Sequence, residues 1–271
     1  MIGAVGANDP YYASLLRPTL EQSGVSARGV TEIERSQTGT ATILVESNSG
    51  ENRILVVPGA NHDGMSDVQA TIEHAMRARR PDVVVMQGEI PKATVVGLLQ
   101  HFNGSSTHVI FNPAPVFPEG IPLEALSGLA VLAVNETECI QLAATLGNIS
   151  TPTADAAEAK LSHVQLQEIT GRFRELAKVQ TVIVTLGSEG AFFSTVSGQQ
   201  GFVPGVKIDK VVDTTAAGDT FVGYFATALA RSTIPASRGF DVHAAATAAN
   251  RAAALCVQKS GAMQSIPFGY E

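Results

Sequence analysis

Short apolar runs alternate with longer amphipathic stretches over most of this chain. Runs of four to six mainly apolar residues predict buried strands at residues 2–5, 83–87, 108–112, 130–134 and 181–186. Apolar residues spaced three and four apart predict helices at 9–23, 66–80, 91–103, 136–146, 153–178 and 241–258. Strands that alternate with helices indicate an α/β fold, in which a mostly parallel sheet carries helices on both faces.

Near the start of the chain, a segment rich in β-forming residues interrupts this alternation of strands and helices. Residues 38–46 and 53–57 are rich in β-formers and flank a stretch of Ser, Asn and Gly, which is typical of a hairpin. A hairpin that precedes an α/β repeat suggests a lid, and we assign residues 36–60 to the remnant of a β lid. We expect the rest of residues 1–271 to form a single domain, with two further short strands at 191–195 and 201–204.

Polar residues follow four of the predicted strands. They are Gln87-Gly88-Glu89, Asn112-Pro-Ala-Pro115, Asn135-Glu-Thr-Glu138 and Thr185-Leu-Gly-Ser-Glu-Gly190. Ligands of parallel sheets bind beyond the carboxyl ends of the strands, so these residues predict a binding site. Each group also has a structural explanation, as a rigid turn, a helix cap or a hairpin turn.

The stretch 211–229 combines a loop of small residues with a helix. Phe221, Phe225 and Leu229 give the helix one apolar stripe and place its start near Gly218. Four residues, Ala216, Ala217, Gly218 and Asp219, would then direct free N–H groups out of the first turn, where the helix dipole favours an anion. The carboxylate of Asp219 either caps the helix or accepts a proton from a bound molecule.

Composition excludes several classes of protein. The net charge of −7 and pI of about 5.4 argue against binding to nucleic acid or to an anionic membrane. Two cysteines without metal-ligand spacing fit a reducing compartment, so we expect a cytoplasmic location, with nuclear access possible. No nicotinamide fingerprint, Walker A loop, Gly-x-Ser-x-Gly elbow or zinc-type histidine spacing occurs.

Five strings in order resemble the ribokinase family of sugar kinases: Asn112–Pro115, Asn135–Glu138, Thr185–Gly190, Asp213-Thr-Thr-Ala-Ala-Gly-Asp219 and Lys259–Pro267. The resemblance covers nearly the whole chain. It implies a ribokinase-like fold and the phosphorylation of the 5-hydroxyl of D-ribose by ATP, with Mg²⁺ and an activating monovalent cation, usually K⁺. Alternatives are another sugar or nucleoside kinase of the family, and a nucleotide-binding protein without turnover.

The resemblance also implies roles for individual residues. Asp219 would be the catalytic base, Ala216, Ala217 and Gly218 the anion hole, and Glu89, with Asp219, a sugar contact. ATP would contact Asn135, Thr185, Leu186, Gly187, Ser188, Glu189, Gly190, Gly218 and Asn250. Glu138 would hold Mg²⁺ through water. The K⁺ ligands would be Asp213, Thr215, Cys256, Lys259, Gly261 and Ser265, of which Cys256 and Lys259 act only through backbone oxygens.

One departure from the family lies at the start of the chain. The family's first strand, which carries an Asn-x-Asp sugar contact, and its Gly-Gly-Lys-Gly-Ala-Asn turn have no counterpart here, a difference on the order of 50 residues. The absent strand belongs in the middle of the sheet, so we expect exposed strand edges beside its position. Members of the family often form homodimers through the lid, which makes a homodimer possible here.

Overall fold

The computed structural model describes residues 1–46, 52–146, 160–233 and 240–269, here called the described ranges. The strands are β1 (Ile2–Gly6), β2 (Gly29–Ile33), β3 (Thr40–Val45), β4 (Asn52–Val57), β5 (Val83–Met86), β6 (His108–Phe111), β7 (Val131–Asn135), β8 (Thr181–Thr185), β9 (Gly190–Thr195) and β10 (Gln200–Pro204). The α-helices are α1 (Arg17–Gln22), α2 (Ala60–Gly64), α3 (Val68–Met76), α4 (Lys92–Phe102), α5 (Glu136–Ala143), α6 (His163–Ala177), α7 (Ala217–Ser232) and α8 (Val242–Cys256).

Six strands form the main sheet, in the order β10-β9-β8-β7-β6-β5. The four strands from β5 to β8 run parallel, whereas β9 pairs antiparallel with both β8 and β10. Strands β6, β7 and β8 are apolar because both of their faces are covered, and Val182, Ile183 and Val184 of β8 are fully buried. The predicted ribokinase-like α/β fold, with its mostly parallel sheet, is confirmed.

Two apolar cores lie on opposite faces of this sheet. On one face, residues of α4, α5 and α6, including Leu99, Ile140 and Phe173, pack with Leu132 and Val184 of the sheet. On the other face, α7 and α8 cover Ile110 and Ile183 through Phe221, Phe225 and Ala249. The apolar stripe predicted for α7 is therefore its buried face, and it fixes the direction in which the first turn of α7 points.

Two small sheets accompany the main one. Strand β1 pairs in parallel with β2, and β3 pairs antiparallel with β4 to form the predicted hairpin. The turn of the hairpin, at residues 47–51, lies outside the described ranges. Within those ranges β1 and β5 each have a strand on one side only, as expected for edges beside a missing strand.

Two elements were not predicted, and several have different bounds. Strand β2 and helix α2 were missed because β2 shows no apolar run and α2 has five residues. Predicted helix 9–23 is a π-helical segment (Tyr12–Leu16) followed by α1, and the predicted helix at 66–80 is shorter, as α3. The helix predicted at 153–178 begins after Ser162, whose hydroxyl caps it, and residues 153–159 lie outside the described ranges.

Hydropathy gives one further fact about the helices. None of those in the described ranges combines the length and the apolar character that a bilayer crossing requires.

Candidate active site

The polar residues that follow the parallel strands lie side by side. Asn135 of β7 and Thr185 of β8 are direct partners in the sheet register. Beyond β5 and β6, the Gly88 N–H donates to the Ala114 carbonyl (3.1 Å), and the Asn112 side-chain amide donates to the Ala133 carbonyl (2.9 Å). The four strand ends selected from the sequence therefore form one edge of the main sheet.

Asn135 and Glu138 form a reciprocal cap at the start of α5. The Asn135 side-chain oxygen accepts the Glu138 N–H, and the Glu138 carboxylate accepts the Asn135 N–H, both at 2.8 Å. This is a capping box, which satisfies two backbone donors at the helix start. The structural explanation given for this motif is thus correct, and it holds both side chains at the edge where a ligand role was predicted.

The loop before α7 places Asp219 in the first turn of the helix. Ala216 is the N-terminal cap with a left-handed backbone (φ 62°), and no side chain caps the helix. The Ala217 N–H donates to the Thr214 carbonyl at 3.3 Å, so Ala217 contributes less to an open anion site than the sequence suggested. A Cβ at Gly218 would meet no atom within 4 Å, so the space beside this first turn is open.

Three carboxylates interact electrostatically at this place. Burial raises the pKa of Glu138 to about 7, and the charge of Asp219 contributes to the shift. Burial and the charge of Asp219 also raise the pKa of Glu89. Asp219 therefore lies within electrostatic range of Glu89, after β5, and of Glu138, in the first turn after β7.

Residues 185–190 form a tight turn at the end of β8. The Leu186 N–H donates to the Gly190 carbonyl (2.8 Å), and Gly187–Glu189 form one turn of 3₁₀-helix. Gly190 has a φ of 107°, and a Cβ there would collide with the Val203 carbonyl oxygen. Only glycine fits at this position, which keeps the backbone of the turn close to β10.

Two contacts connect this turn with its surroundings. Lys160 forms an ion pair with Glu189, and the Asn250 side-chain amide donates to the Pro204 carbonyl at 2.9 Å. Asn250 is buried in α8, so its amide fastens this helix to the end of β10 beside the turn. The structure places all the predicted ATP-contacting residues around this edge without showing their contact with a nucleotide.

The segment before α7 is bound to the segment after α8. Asp213 accepts hydrogen bonds from the N–H groups of Thr215 (2.9 Å) and Gly261 (3.0 Å). The Thr215 side chain and these two N–H groups lower the pKa of the buried Asp213. The Val257 carbonyl also accepts the N–H groups of Val212 and Asp213, so both segments form one folded unit.

The Cys256 thiol joins the same unit. Its sulfur lies 3.6 Å from the Thr215 carbonyl oxygen and 3.1 Å from the hydroxyl oxygen of Ser265, which is fully buried. The sequence predicted only a backbone role for Cys256. The buried thiol also makes side-chain contacts with two of the predicted K⁺ ligands, and the carbonyl of Cys256 accepts the Lys259 N–H at 3.0 Å.

The donor types around these segments fit the two predicted cations. A buried carboxylate, a hydroxyl and several backbone carbonyls suit a hard cation such as K⁺. Within the described ranges no three His, Cys, Asp or Glu side chains converge in a metal-binding geometry. A Mg²⁺ that keeps most of its water and contacts phosphate needs fewer protein ligands, and Glu138 with Asn135 fits that kind of binding.

Some features of the site had no sequence signal. The Glu136 carboxylate accepts the Leu161 N–H at 2.9 Å and so holds residues 160–162 against α5. The Lys160–Glu189 ion pair joins residues 29 positions apart. The spacing of residues along the sequence predicts contacts within one helix or strand, whereas these two contacts depend on how separate elements pack together.

Comparison with known proteins agrees with the fold. The model of the pfkB family carbohydrate kinases matches residues 1–268. The chain therefore belongs to the pfkB family of carbohydrate kinases and is an ATP-dependent sugar kinase.

Within that family the chain is similar to ribokinases. It is 34% identical to a ribokinase of Schizosaccharomyces pombe over 98% of this chain and 76% of the relative. The ribokinase structure of Thermotoga maritima matches with a TM-score of 0.73 and 32% identity over 98% of this chain and 77% of that one. The Arabidopsis thaliana ribokinase, solved with ribose and ATP, matches with a TM-score of 0.76 and 26% identity over 98% and 78% of the two chains.

Proposed function

We propose that this chain is a ribokinase, which transfers the γ-phosphoryl group of ATP to the 5-hydroxyl of D-ribose. The observation that carries the proposal is the position of Asp219, whose charge acts on both Glu89 and Glu138 from the first turn of α7. One carboxylate thus interacts with the end of β5, where sugar is expected, and with the start of α5 after β7, where phosphate is expected. The similarity to ribokinases from several organisms supports D-ribose as the acceptor.

Asp219 is the proposed general base. As the sugar oxygen bonds to the γ-phosphorus, its proton passes to the Asp219 carboxylate, and the bond to the leaving ADP oxygen breaks. Phosphoryl transfer depends mainly on alignment and on charge stabilisation. The N–H groups of Gly218 and Asp219, at the positive end of α7, are the main donors for the transferring group, and those of Ala216 and Ala217 are secondary.

The remaining residues position the substrates. Glu89 accepts a hydrogen bond from a sugar hydroxyl, and this bond is stronger when the carboxylate is ionised. The turn at 185–190 offers backbone N–H groups and open space at Gly187, where a Cβ would meet no atom within 4 Å. Asn250 supports this turn through Pro204 and also contributes to the nucleotide site.

Two cations complete the proposal. Glu138 and Asn135 would hold Mg²⁺ through water beside the ATP phosphates, where the ion supplies positive charge. K⁺ would bind Asp213 and Ser265 together with the carbonyls of Thr215, Cys256, Lys259 and Gly261. Its effect on the reaction would be structural, because this unit ends directly before the first turn of α7.

A homodimer through the β3–β4 hairpin is also proposed. The hairpin exposes apolar side chains on both faces, with Leu55 (64% exposed) and Val57 (63%) on one face and Ile54 (51%) and Val56 (49%) on the other. A two-stranded sheet with apolar residues on both faces is not stable in water unless another surface covers it. A second copy that contributes the same hairpin would cover one of these faces.

The test is ATP consumption by the purified chain with Mg²⁺ and K⁺, with and without D-ribose, and with ³¹P NMR to identify the product. We expect ribose-dependent ADP release and ribose 5-phosphate. Turnover with another sugar or a nucleoside, but not with D-ribose, would move the assignment to a different kinase of the family. ATP binding without turnover on any acceptor would leave a nucleotide-binding protein and would overturn the proposal.

A further inference from the structure

The Asn-Pro-Ala-Pro segment at residues 112–115 lies between the two halves of the candidate site. It follows β6, which lies between β5 and β7 in the main sheet. We propose that Asn112 is a positioning residue for phosphoryl transfer, which joins β5 to β7 and so fixes the separation between a sugar at Glu89 and Mg²⁺–ATP at Asn135. This inference rests on the proposed function, which gives Glu89 and Asn135 their ligands.

Asn112 bonds to both neighbouring strands through different groups. Its backbone N–H donates to the Met86 carbonyl of β5, and its side-chain amide donates to the Ala133 carbonyl of β7, each at 2.9 Å. Successive N–H groups of a strand point to opposite sides, so the N–H after Asn112 would point to β7. The next residue is Pro113, which has no N–H. The side-chain amide of Asn112 therefore replaces the missing backbone donor.

The bond from Asn112 to β7 lies close to the phosphate side of the site. The register of β6 with β7 ends at Phe111, which pairs with Leu132, whereas β7 continues to Asn135. The amide extends the contact between the two strands to Ala133, two positions before Asn135. Asn135 begins the capping box of α5, so a shift at the end of β7 would reach the residues proposed to hold Mg²⁺.

The loop after β5 packs against the same segment. The Gly88 N–H donates to the Ala114 carbonyl at 3.1 Å, and a Cβ at Gly88 would collide with the Pro115 carbonyl oxygen. The two backbones approach so closely that only glycine fits here. Glu89 is the next residue, so the position of its carboxylate depends on residues 112–115.

Phosphoryl transfer makes these contacts important because it depends on alignment of the two substrates. A misplacement of about 1 Å can reduce the rate about 100-fold, even when its cause is remote from the reacting atoms. Loss of the Asn112 amide would let the ends of β6 and β7 separate without removing a group that touches either substrate. The expected signature is therefore a lower kcat with little change in either KM.

The test compares two asparagines that make the same kind of bond. Asn112→Leu removes the amide donor at the edge of the site. Asn103→Leu removes an amide that donates to the Ala125 carbonyl at 2.8 Å, after α4 and ahead of the amino end of β6. Both variants should melt at a similarly lowered temperature. Only Asn112→Leu should lose at least about tenfold in kcat, with KM for ATP and for D-ribose within about twofold of the parent values.

The outcomes separate this inference from the proposed function. Equal kcat values for the two variants would overturn the positioning role of Asn112. A raised KM for one substrate with an unchanged kcat would also overturn it, because Asn112 would then be a direct contact. A parent protein without turnover on any acceptor would refute the proposed function itself, and the inference with it. If circular dichroism shows that Asn112→Leu does not fold, Asn112→Ala and Asn103→Ala replace the pair with the same expectations.

Gly88→Ala gives an independent comparison. The added methyl group would push the loop that carries Glu89 away from Pro115, so we expect kcat to fall at least about tenfold. Gly3→Ala is the control, because a Cβ at Gly3 would meet no atom within 4 Å, and it should keep the parental kcat. Parental kcat in a folded Gly88→Ala variant would contradict the role of residues 112–115.

Discussion

The Asp213 carboxylate accepts a hydrogen bond at 3.0 Å from the N–H of Gly261, which lies 48 residues further along the chain. This bond closes the loop before α7 onto the segment after α8. Two residues beyond Asp213, Thr215 accepts the Cys256 thiol, and the first turn of α7 with Asp219 follows directly. The position of the proposed base therefore depends on contacts made outside its own helix.

Replacing the proposed base should separate binding from turnover. Asp219→Asn keeps the size of the side chain but removes the proton acceptor, so we expect kcat to fall by about 10²–10⁴-fold while ATP still binds. The measurements are steady-state kinetics and calorimetric titration with ATP. The control is Asp209→Asn, which makes the same charge change at an exposed acid outside the proposed site and should leave kcat unaltered. Parental turnover by Asp219→Asn would refute the assignment.

The activity should depend on pH through Glu138. Its pKa of about 7 means that the side chain is mostly neutral below pH 7 and mostly ionised above it. Binding of Mg²⁺ requires the carboxylate, so kcat/KM for the Mg²⁺–ATP complex should rise with pH through that region. Glu138→Gln preserves the capping box, because Gln also accepts the Asn135 N–H. This variant should have low activity and should lose the inflection near pH 7, whereas an unchanged profile would exclude Glu138.

The same shift makes a prediction about stability in metal-free buffer. Because the pKa of Glu138 is raised from 4.5 to about 7, the folded state binds more protons than the unfolded state between these values. The contribution of Glu138 to stability is therefore largest below pH 4.5 and declines as pH rises through 7. Denaturant unfolding across this range should show a shallower decline for Glu138→Gln than for the parent protein. If the stability of the two proteins changed with pH to the same extent, the raised pKa of Glu138 would be contradicted.

Potassium should activate the enzyme more than sodium does, through the unit that joins Thr215, Cys256 and Ser265. Cys256→Ala removes one hydrogen-bond partner of the Thr215 carbonyl and of the Ser265 hydroxyl, at a cost of about 0.5–1.5 kcal/mol. We expect a lower melting temperature and a weaker response to K⁺. Cys256→Ser retains a donor and should recover part of both. Equal activity in potassium, sodium and choline chloride would argue against a K⁺ site here.

Gly190 should be irreplaceable in the turn after β8. Gly190→Ala adds a methyl group against the Val203 carbonyl at a φ of 107°. Backbone strain alone costs about 1–3 kcal/mol, and the collision adds to it, so ATP affinity and stability should both fall. Gly198→Ala is the matched control, since its φ of 87° imposes strain where a Cβ would meet no atom within 4 Å. Similar losses in the two variants would show that the collision is unimportant.

A charge on the hairpin should dissociate the proposed dimer. Leu55→Glu introduces a carboxylate where Leu55 is 64% exposed, and burying it against a second copy would be costly. Val196→Glu is the control, at an equally exposed apolar residue (63%) outside the hairpin. Sedimentation velocity should show a monomer for Leu55→Glu only. A monomeric parent protein would refute the dimer directly.

The parallel strands could be predicted because the burial of each strand is visible as an apolar run within a few consecutive residues. Strands buried on both faces require uninterrupted apolar runs, and β7 and β8 show them. Strand β2 was not predicted because its apolar residues Val30 and Ile33 are only partly buried and are separated by exposed Thr31 and Glu32, so the segment has no apolar run. The division of the described strands into three sheets follows from pairing between distant segments, which apolar periodicity does not encode.

The candidate site was predictable to the level of strand ends and helix starts. Asn135, Thr185 and Asp219 could be placed because each adjoins an element with a clear pattern. The Cys256 thiol and the Lys160–Glu189 pair could not, because their partners lie far away in sequence. The hydrogen bond from the Ala217 N–H to the Thr214 carbonyl depends on the left-handed backbone of Ala216. An alanine at this position does not indicate such a backbone conformation.

Two residues of helix α8 each hold a different segment of the candidate site. Asn250 holds the end of β10 through Pro204, and Cys256 holds Thr215, and these two residues lie about 9 Å apart along the helix axis. A small shift of α8 along its axis would therefore move the end of β10 and Thr215 together. Under the proposed function, this helix would couple occupancy of the K⁺ site to the turn where ATP is expected to bind.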